Sequence, residues 1–301
     1  MDSKISLLVD GTTDIGNRRQ NNEDAWWAGQ LGGAQFFMAP GPEPLRLATD
    51  RGPVLLMVSD GVGGANAGEV ASQMAIRQIS SDLTRDVAAL AKTRTASDAI
   101  LAAIKAADAA VTAKSAEPGF DGMGATLSLL CLSTAGIAFW GQAGDSRIYV
   151  CRGGKLRQFS HDHSPVGRMR QRGEITEAEA RRHPLRNQID MSLGNTDTPF
   201  QPETGIEQIF RGDVFLLCSD GLSDGLWDHE IEKLLAGVQA AADVRPTVLQ
   251  LVASAKLASG RDNITAVIAL VEDVAPVSVP SEAGPKLSFW QRLFGSQPAP
   301  A

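Results

Sequence analysis

Apolar residues along this chain recur either at helical spacing or in short runs that end in glycine and polar residues. Val70, Met74, Ile76, Ile79 and Leu83 recur at roughly helical spacing and predict a helix over Glu69–Leu83. Further helices are predicted at Ala96–Lys114, after the capping-box pattern at 176–179, near Glu230–Val238 and at Arg245–Ala258. Short apolar runs predict strands at Val54–Ser59, Thr126–Leu132, Gly136–Trp140, Arg147–Cys151, Lys155–Phe159, Val214–Cys218 and Ile264–Val271.

The predicted strands fall into two clusters with long helices between them, which is typical of an α+β sandwich of two sheets with helices outside. The four runs between Thr126 and Phe159 are spaced as an antiparallel meander. LLMVSDGV (55–62) and FLLCSDGL (215–222) each join an apolar strand to Ser-Asp-Gly, which predicts a tight turn at Asp60-Gly61. If these two strands lie in facing sheets, their ends bring Asp60 and Asp220 to one cleft.

The composition excludes several classes of protein. The formal net charge is −7, and non-specific nucleic-acid binding depends on Lys/Arg patches, so no nucleic-acid partner is expected. No stretch approaches the roughly 18 apolar residues of a membrane helix, so no transmembrane segment is expected. Cys131, Cys151 and Cys218 form no CxxC pair, which indicates a reducing compartment and a cytoplasmic location.

The pattern divides the chain into a domain over residues 1–272 and a Pro- and Ser-rich tail over 273–301. Within the domain, residues 31–53 carry GG, PGPEP and RGP and predict a surface excursion. Within the tail, residues 287–294 (LSFWQRLF) form a short amphipathic segment. This composition is compatible with a disordered tail and also with a segment that docks on a partner groove or a membrane surface.

Acidic residues stand at the ends of the apolar strands or in glycine-rich turns: Glu23, Asp24, Asp60, Asp145, Asp220 and Asp262. An aspartate next to glycine most often only makes a turn. Several such residues, each next to an apolar strand, favour a shared function instead. Carboxylates without paired His or Cys are typical of Mg²⁺ or Mn²⁺ sites rather than zinc sites. Two such ions can hold one water as hydroxide and stabilise a phosphoryl displacement.

Six motifs resemble, in order, those of the PP2C-type (PPM) metal-dependent protein serine/threonine phosphatases, in their bacterial branch. They are RQNNED (19–24), VSDGVGG (58–64) followed by Gly68-Glu69, GAT (124–126), GDSRIY (144–149), SDGL (219–222) and DNIT (262–265). Each motif alone is weak, but together they extend from about Leu7 to Val271. The resemblance implies a four-layer α-β-β-α sandwich of two mainly antiparallel sheets flanked by helices, with the metals at the sheet edge.

The resemblance also implies a set of metal ligands: Glu23, Asp24, Asp60, Gly61, Asp145, Asp220 and Asp262. Asp60 would bridge two Mn²⁺ or Mg²⁺ ions. Glu23 and the Gly61 carbonyl would complete one site, where Asp24 orders the waters. Asp220 and Asp262 would complete the other, which gives the three catalytic aspartates.

Asp145 and Asp220 would serve a looser third ion, as in bacterial relatives. Arg19 would bind the substrate phosphate, because a guanidinium matches phosphate geometry. The alternatives for Arg19 are a solvated surface arginine and a register in which Arg18 takes its place.

The mobile flap of the family corresponds to about residues 165–190. Its arginines either form a solvated face or bind acidic or phosphorylated protein surfaces: Arg168, Arg170, Arg172, Arg181, Arg182 and Arg186. His161 and His163 precede the flap in a segment that does not bind metal in the family pattern. Eukaryotic relatives carry a proposed general-acid histidine after the bridging Asp-Gly, where this chain has Val62.

These residues predict an enzyme that hydrolyses phosphoserine and phosphothreonine in proteins and opposes a bacterial Ser/Thr kinase. Its partners would be phosphorylated protein substrates, either the kinase or its targets. A phosphoprotein-binding pseudophosphatase is a second hypothesis, disfavoured because every metal carboxylate is present. A small-molecule phosphomonoesterase is a third, mildly disfavoured by the long flap.

Overall fold

Two β-sheets pack face to face, and helices cover their outer faces. The structure is a computed structural model that describes residues 5–32, 35–37, 43–63, 67–133, 136–196 and 199–274. Its strands are β1 (Ile5–Asp14), β2 (Asp24–Gln30), β3 (Gln35–Phe37), β4 (Leu45–Ala48), β5 (Val54–Val62), β6 (Gly124–Ala125), β7 (Leu127–Leu132), β8 (Ile137–Ala143), β9 (Arg147–Arg152), β10 (Lys155–Gln158), β11 (Glu203–Gln208), β12 (Val214–Cys218) and β13 (Ile264–Val274). Its helices are α1 (Ala67–Arg85), α2 (Val87–Leu90), α3 (Thr93–Ser115), α4 (Pro165–Gln171), α5 (Glu177–Ala180), α6 (Asp220–Gly225), α7 (Asp228–Leu235) and α8 (Ala241–Ala258).

The first sheet has the strand order β10-β9-β12-β13-β1-β4. The second has the order β11-β8-β7-β5-β2-β3, and β6 pairs with the end of β5. The strand pairs described in both sheets are antiparallel. The predicted four-layer α-β-β-α sandwich is therefore confirmed.

Strand β5 shows why its sequence is a continuous apolar run. Leu56 and Val58 face the core between the two sheets, whereas Leu55 and Met57 face the helices on the outside. Successive side chains of a strand point to opposite faces, so a strand buried on both faces carries no polar alternation. The strand is therefore held on two sides, which fixes the position of Asp60 near its end.

The helices pack on the outer faces of the sheets through apolar residues. On the second sheet, α1 places Ala71, Ala75 and Ile79 in the core that it shares with α3. On the first sheet, α8 buries Val248 and Leu251 against the outer face. The predicted helices at 69–83, 96–114 and 245–258 are thus confirmed, with ends that differ by a few residues.

The predicted meander between Thr126 and Phe159 is wrong. Strands β7 and β8 pair in the second sheet, whereas β9 and β10 belong to the first, where β9 also pairs with β12. The chain crosses from one sheet to the other through the turn at Gly144-Asp145. Both sheets bury apolar strands of similar composition, so the local pattern could not show which sheet β9 joins.

Two other predictions need correction. The prediction of a tight turn at Asp60-Gly61 is wrong, because β5 continues to Val62 and pairs there with β6. The surface excursion at residues 31–53 is only partly correct, because β4 lies at the edge of the first sheet and buries Leu47. The helix α6 was not predicted, since its six residues carry two glycines.

The boundary of the domain stays a prediction, as do the limits of the flap. Strand β13 runs to Val274, and the tail from 275 onward, including 287–294, lies outside the described residues. Among the helices that the structure describes, none is long and apolar enough to cross a membrane. Cys131, Cys151 and Cys218 are buried free thiols.

Candidate metal centre

The aspartates singled out in the sequence meet where the two sheets face each other. Asp24 and Asp60 are direct register partners on β2 and β5 in the second sheet. Asp220 opens α6 directly after β12 in the first sheet, and Asp262 precedes β13 in the same sheet. Asp145 lies in the turn that joins the sheets. The expectation that Asp60 and Asp220 share one cleft is thereby met.

Burial raises the pKa values of the aspartates in this cluster, and for Asp60 and Asp220 repulsion by the other aspartates adds to it. Burial, followed by the charges of the other four aspartates, raises the pKa of Asp60 well above its ordinary value. Burial also raises the pKa of Asp220, with Asp145 as the largest charge acting on it. The pKa of Asp145 rises to about 7 and that of Asp24 to about 6, again mainly through burial. The cluster therefore favours bound protons or bound cations at neutral pH.

Three carboxylate oxygens of the cluster have no hydrogen-bond partner among the described residues. They are the buried Oδ1 atoms of Asp24, Asp145 and Asp220. A buried oxygen without a partner is costly, and a divalent cation would satisfy it. Because the donors are carboxylate oxygens, the residues fit Mg²⁺ or Mn²⁺.

The acidic side chains of the cluster are not arranged as a complete coordination site. In the described part of the chain, no three His, Cys, Asp or Glu side chains form a group arranged to hold a metal ion. The fit to cations therefore rests on the partnerless oxygens, the concentrated charge and the type of donor. Metal ligation by Glu23, Asp24, Asp60, Gly61, Asp145, Asp220 and Asp262 stays a prediction.

Two hydroxyl groups position Asp24, and the sequence reasoning gave neither of them a role. Ser219 Oγ donates to Asp24 Oδ2 at 2.7 Å, and Thr265 Oγ1 donates to the same oxygen at 2.6 Å. Both hydroxyls come from the first sheet, so they tie it to β2 of the second sheet. Their signal was their place in the SDGL and DNIT motifs, beside the two aspartates.

A second pair of hydroxyls connects Asp60 to the turn that carries Asp145. The amide of Asp60 donates to Thr126 Oγ1 at 2.9 Å, and the amide of Thr126 donates to the Asp60 carbonyl at 2.8 Å. Thr126 Oγ1 lies 2.6 Å from Ser146 Oγ. These contacts explain the threonine of GAT and the serine of GDSR, and they hold Asp60 and Asp145 in one frame.

Asn263 holds the N-terminal loop of the site. Its Oδ1 accepts a hydrogen bond from the amide of Glu23 at 2.8 Å. Its Nδ2 donates to the carbonyls of Ile15 and Asn21, each at 3.0 Å. The loop that carries Arg19 and Glu23 is therefore fastened to the residue directly after Asp262.

Arg19 lies in this loop and forms ion pairs with two carboxylates of the site. Its Nη2 lies 2.7 Å from Asp262 Oδ2, and its Nη1 lies 3.7 Å from Glu23 Oε2. Its side chain is 46% exposed, so one side of the guanidinium stays accessible to a ligand. The position suits a phosphate bound beside the cluster, although that role stays a prediction.

Replacing Arg19 with alanine should raise KM for a phosphopeptide with a smaller loss of kcat, because Arg19 would bind the phosphate in ground state and transition state alike. The matched control is Arg18→Ala, which removes the same charge from the exposed neighbouring position. Steady-state kinetics measure both variants. An equal fall in kcat and kcat/KM would place Arg19 in the transition state, and unchanged kinetics would refute its role.

Four of the flap arginines form ion pairs with neighbouring acidic residues, and His161 and His163 also have partners. Ion pairs join Arg168 to Asp190, Arg170 to Asp228, Arg172 to Glu174 and Arg181 to Glu177. His161 Nδ1 lies 2.7 Å from Glu203 Oε1 on β11. His163 Nδ1 accepts a hydrogen bond from the amide of Gly144 at 3.2 Å. His161 thus connects the base of the flap to β11, and His163 connects it to the turn at Gly144.

Comparisons with known proteins show which family of proteins this chain is similar to. The family model described as Protein phosphatase 2C matches residues 46–258. The chain is 33% identical over 272 residues to the serine/threonine protein phosphatase PstP of Mycobacterium tuberculosis, covering 89% of this chain and 46% of PstP, so it spans about half the length of that relative. It is 30% identical to the protein phosphatase PhpP of Streptococcus pneumoniae, covering 89% of this chain and 96% of PhpP.

Solved structures give the same result. The crystal structure of the M. tuberculosis phosphatase PstP/Ppp matches with a TM-score of 0.71 and 31% identity, covering 89% of this chain and 100% of that one. The PstP catalytic domain in complex with two manganese ions matches with a TM-score of 0.69 and 30% identity, with coverages of 89% and 100%.

Proposed function

Since the chain belongs to the protein phosphatase 2C family, we propose that it hydrolyses phosphoserine and phosphothreonine in proteins and opposes a bacterial Ser/Thr kinase in the cytoplasm. The observation that carries the proposal is the cluster of five aspartates between the sheets, three of which keep a partnerless buried oxygen. Two Mn²⁺ or Mg²⁺ ions bound there would supply a water activated for attack on phosphorus.

The residues of the chain have distinct tasks in this proposal. Asp60 is repelled by Asp24 of its own sheet and by Asp220 of the facing sheet, so it stands where a carboxylate could bridge two cations. Glu23 and Asp262 flank it and already share the Arg19 guanidinium. Arg19 would orient the phosphate through its exposed side. The hydroxyls of Ser219, Thr265 and Thr126 would keep the carboxylates in place.

A third ion is proposed at Asp145 and Asp220. Asp145 is the largest charge acting on Asp220, and each has one buried oxygen without a partner. Its task would be supporting rather than bridging, since the resemblance to the bacterial phosphatases implies a looser third ion beside the pair at Asp60. Loss of a third ion should therefore reduce turnover less than loss of the pair at Asp60.

The test is hydrolysis of a phosphoserine peptide and of p-nitrophenyl phosphate by the purified chain with Mn²⁺ or Mg²⁺. Both activities should stop in excess EDTA and return when the metal is restored. Full activity in EDTA would overturn the mechanism, and aryl phosphatase activity without peptide turnover would overturn the substrate class. Phosphoproteomics of cells that carry wild-type or Asp220→Asn chain would name the substrates and show whether kinase targets accumulate.

The proton for the leaving alkoxide is expected to come from water, because Val62 cannot donate one and His161 and His163 are held at the flap base. His161→Ala and His163→Ala should then slow a phosphopeptide and p-nitrophenyl phosphate by similar factors, since p-nitrophenolate leaves without a proton. Glu203→Gln, which weakens the same contact from β11, serves as a control and should act on both substrates alike. A loss of about tenfold or more confined to the phosphopeptide would identify that histidine as a general acid.

A further inference from the structure

An uncharged groove begins beside the carboxylate cluster, and nothing in the mechanism above uses it. We call it the neutral groove. It is lined by Val62, by the backbone of Gly122 and Gly124, and by Ile189, Ser192 and Asn195. Among the described residues that line it, none carries a charge. A neighbouring cavity, which shares Asn187 with the groove, is instead lined by charged residues that include Asp145, Arg147, Arg170, Arg181, Arg186 and Asp220.

Val62 connects the groove to the cluster. It stands two residues after Asp60 on β5, so both side chains point to the same face of the strand. Its side chain is 42% exposed, unlike the buried apolar residues before it. Two strand residues span about 6.6 Å, a distance that one residue of an extended peptide, about 3.3–3.6 Å long, covers together with the length of its side chain. A side chain next to a phosphorylated residue held at Asp60 therefore reaches Val62.

The far wall of the groove is attached to the core. The amide of Ala125 donates to the Leu193 carbonyl at 3.1 Å, and the amide of Leu193 donates to the Ala125 carbonyl at 2.8 Å. A Cβ on Gly124 would lie 2.8 Å from that same Leu193 carbonyl oxygen, so only glycine permits this approach. The amide of Gly194 also donates to Asp108 Oδ1 on α3 at 2.9 Å. The groove is thus formed before a substrate binds.

We infer that the neutral groove binds the uncharged side chain adjacent to the phosphorylated residue of the substrate, and that Val62 and Ile189 set this preference. The inference rests on the proposed protein phosphatase function. An apolar or small neutral side chain gains contact with Val62 and Ile189. A charged side chain would lose water there without finding an opposite charge among the described residues that line the groove, which is unfavourable.

The test uses phosphoserine peptides that differ only in having Val, Glu or Lys directly before or directly after the phosphoserine. For the wild-type chain, kcat/KM should be about tenfold higher for Val than for Glu and Lys at one of the two positions. Ile189→Lys should raise the ratio of the Glu peptide to the Val peptide about fivefold, because it adds an opposite charge to the groove. Ser192→Lys places a charge on the same wall and gives the same readout if Ile189→Lys folds poorly.

Two controls separate the groove from the general field of the protein. Gln171→Lys adds the same charge on α4, where Gln171 lines a different cavity, and should leave the peptide ratio unchanged. Ile189→Val keeps the groove neutral and should retain the wild-type preference. Equal turnover of all peptides, or an equal shift in Gln171→Lys, would overturn the inference while leaving the phosphatase function intact. Turnover of no phosphopeptide would overturn both.

Discussion

Asp60→Asn is expected to reduce phosphatase activity more than about 100-fold while it makes the metal-free protein more stable. The loss of activity follows from Asp60's place among four other aspartates, where a neutral amide would hold divalent cations more weakly. The gain in stability follows from the same contacts, because the amide carries no charge to repel Asp24 and Asp220 and tolerates burial better. This one substitution thus separates the contribution of the cluster to activity from its effect on the stability of the metal-free protein.

The stability gain should depend on pH in a defined direction. The pKa of Asp60 is raised in the folded chain, so the folded state holds this proton when the unfolded state has released it. The free energy of unfolding of the wild type therefore falls as the pH rises above the ordinary value of 3.8. Asp24, with a pKa of about 6, and Asp145, with a pKa of about 7, act in the same direction up to neutral pH.

Thermal unfolding in EDTA between pH 5 and pH 8 measures this effect. Asp60→Asn should exceed the wild type in Tm by at least about 3 °C at pH 7.5, where 1 kcal/mol corresponds to about 2–4 °C in a chain of this size. The difference should shrink toward pH 5. Asp98→Asn, which removes one exposed charge on α3, should change neither activity nor this difference. An Asp60→Asn protein that is less stable than wild type in EDTA at pH 7.5 would contradict the proposed repulsion.

The sequence was sufficient to predict most of the helices and strands and to identify the aspartates of this site. It was not sufficient to predict how these elements are arranged. Val58 and Cys218 each end an apolar run that precedes Ser-Asp-Gly, and this local pattern predicted that Asp60 and Asp220 share a cleft if the two strands lie in facing sheets. The crossing at Gly144-Asp145 was missed because β8 and β9 are equally apolar, and pairing partners lie far away in the chain. Long-range register decides such crossings, and a single sequence does not display it.

The positioning hydroxyls illustrate the same limit at the level of single residues. Serine and threonine next to aspartate are compatible with turns, strand edges and exposed surface, so their local pattern is uninformative. Only the pairing of the sheets shows that Ser219 and Thr265 converge on one oxygen of Asp24. The roles of Arg19 and of the flap likewise depend on contacts between segments that are distant in the chain. The type of chemistry could therefore be predicted from the residue types, whereas the positions of the side chains relative to one another could be described only from the fold.

Gly61→Ala is expected to damage both the stability and the activity of the protein, although it adds only one methyl group. A Cβ at this position would lie 2.1 Å from the Gly68 carbonyl oxygen and 2.8 Å from the Glu23 carbonyl oxygen. Both are backbone atoms, one near the start of α1 and one beside β2, so neither can move without displacing its element. Such overpacking costs about 1–3 kcal/mol or more, and we expect at least about 3 kcal/mol here.

Activity should fall more than about 100-fold in Gly61→Ala, since a shift of about 1 Å between Asp60 and Glu23 is enough to disturb a catalytic site. Chemical denaturation and steady-state kinetics with Mn²⁺ measure the two effects. The matched control is Gly237→Ala, whose new Cβ would meet nothing closer than the Leu234 carbonyl at 3.3 Å and should change stability by less than about 1 kcal/mol. A Gly61→Ala protein with wild-type stability and turnover would show that α1 and β5 separate freely. It would also remove the close approach of these backbones as the reason for glycine after Asp60.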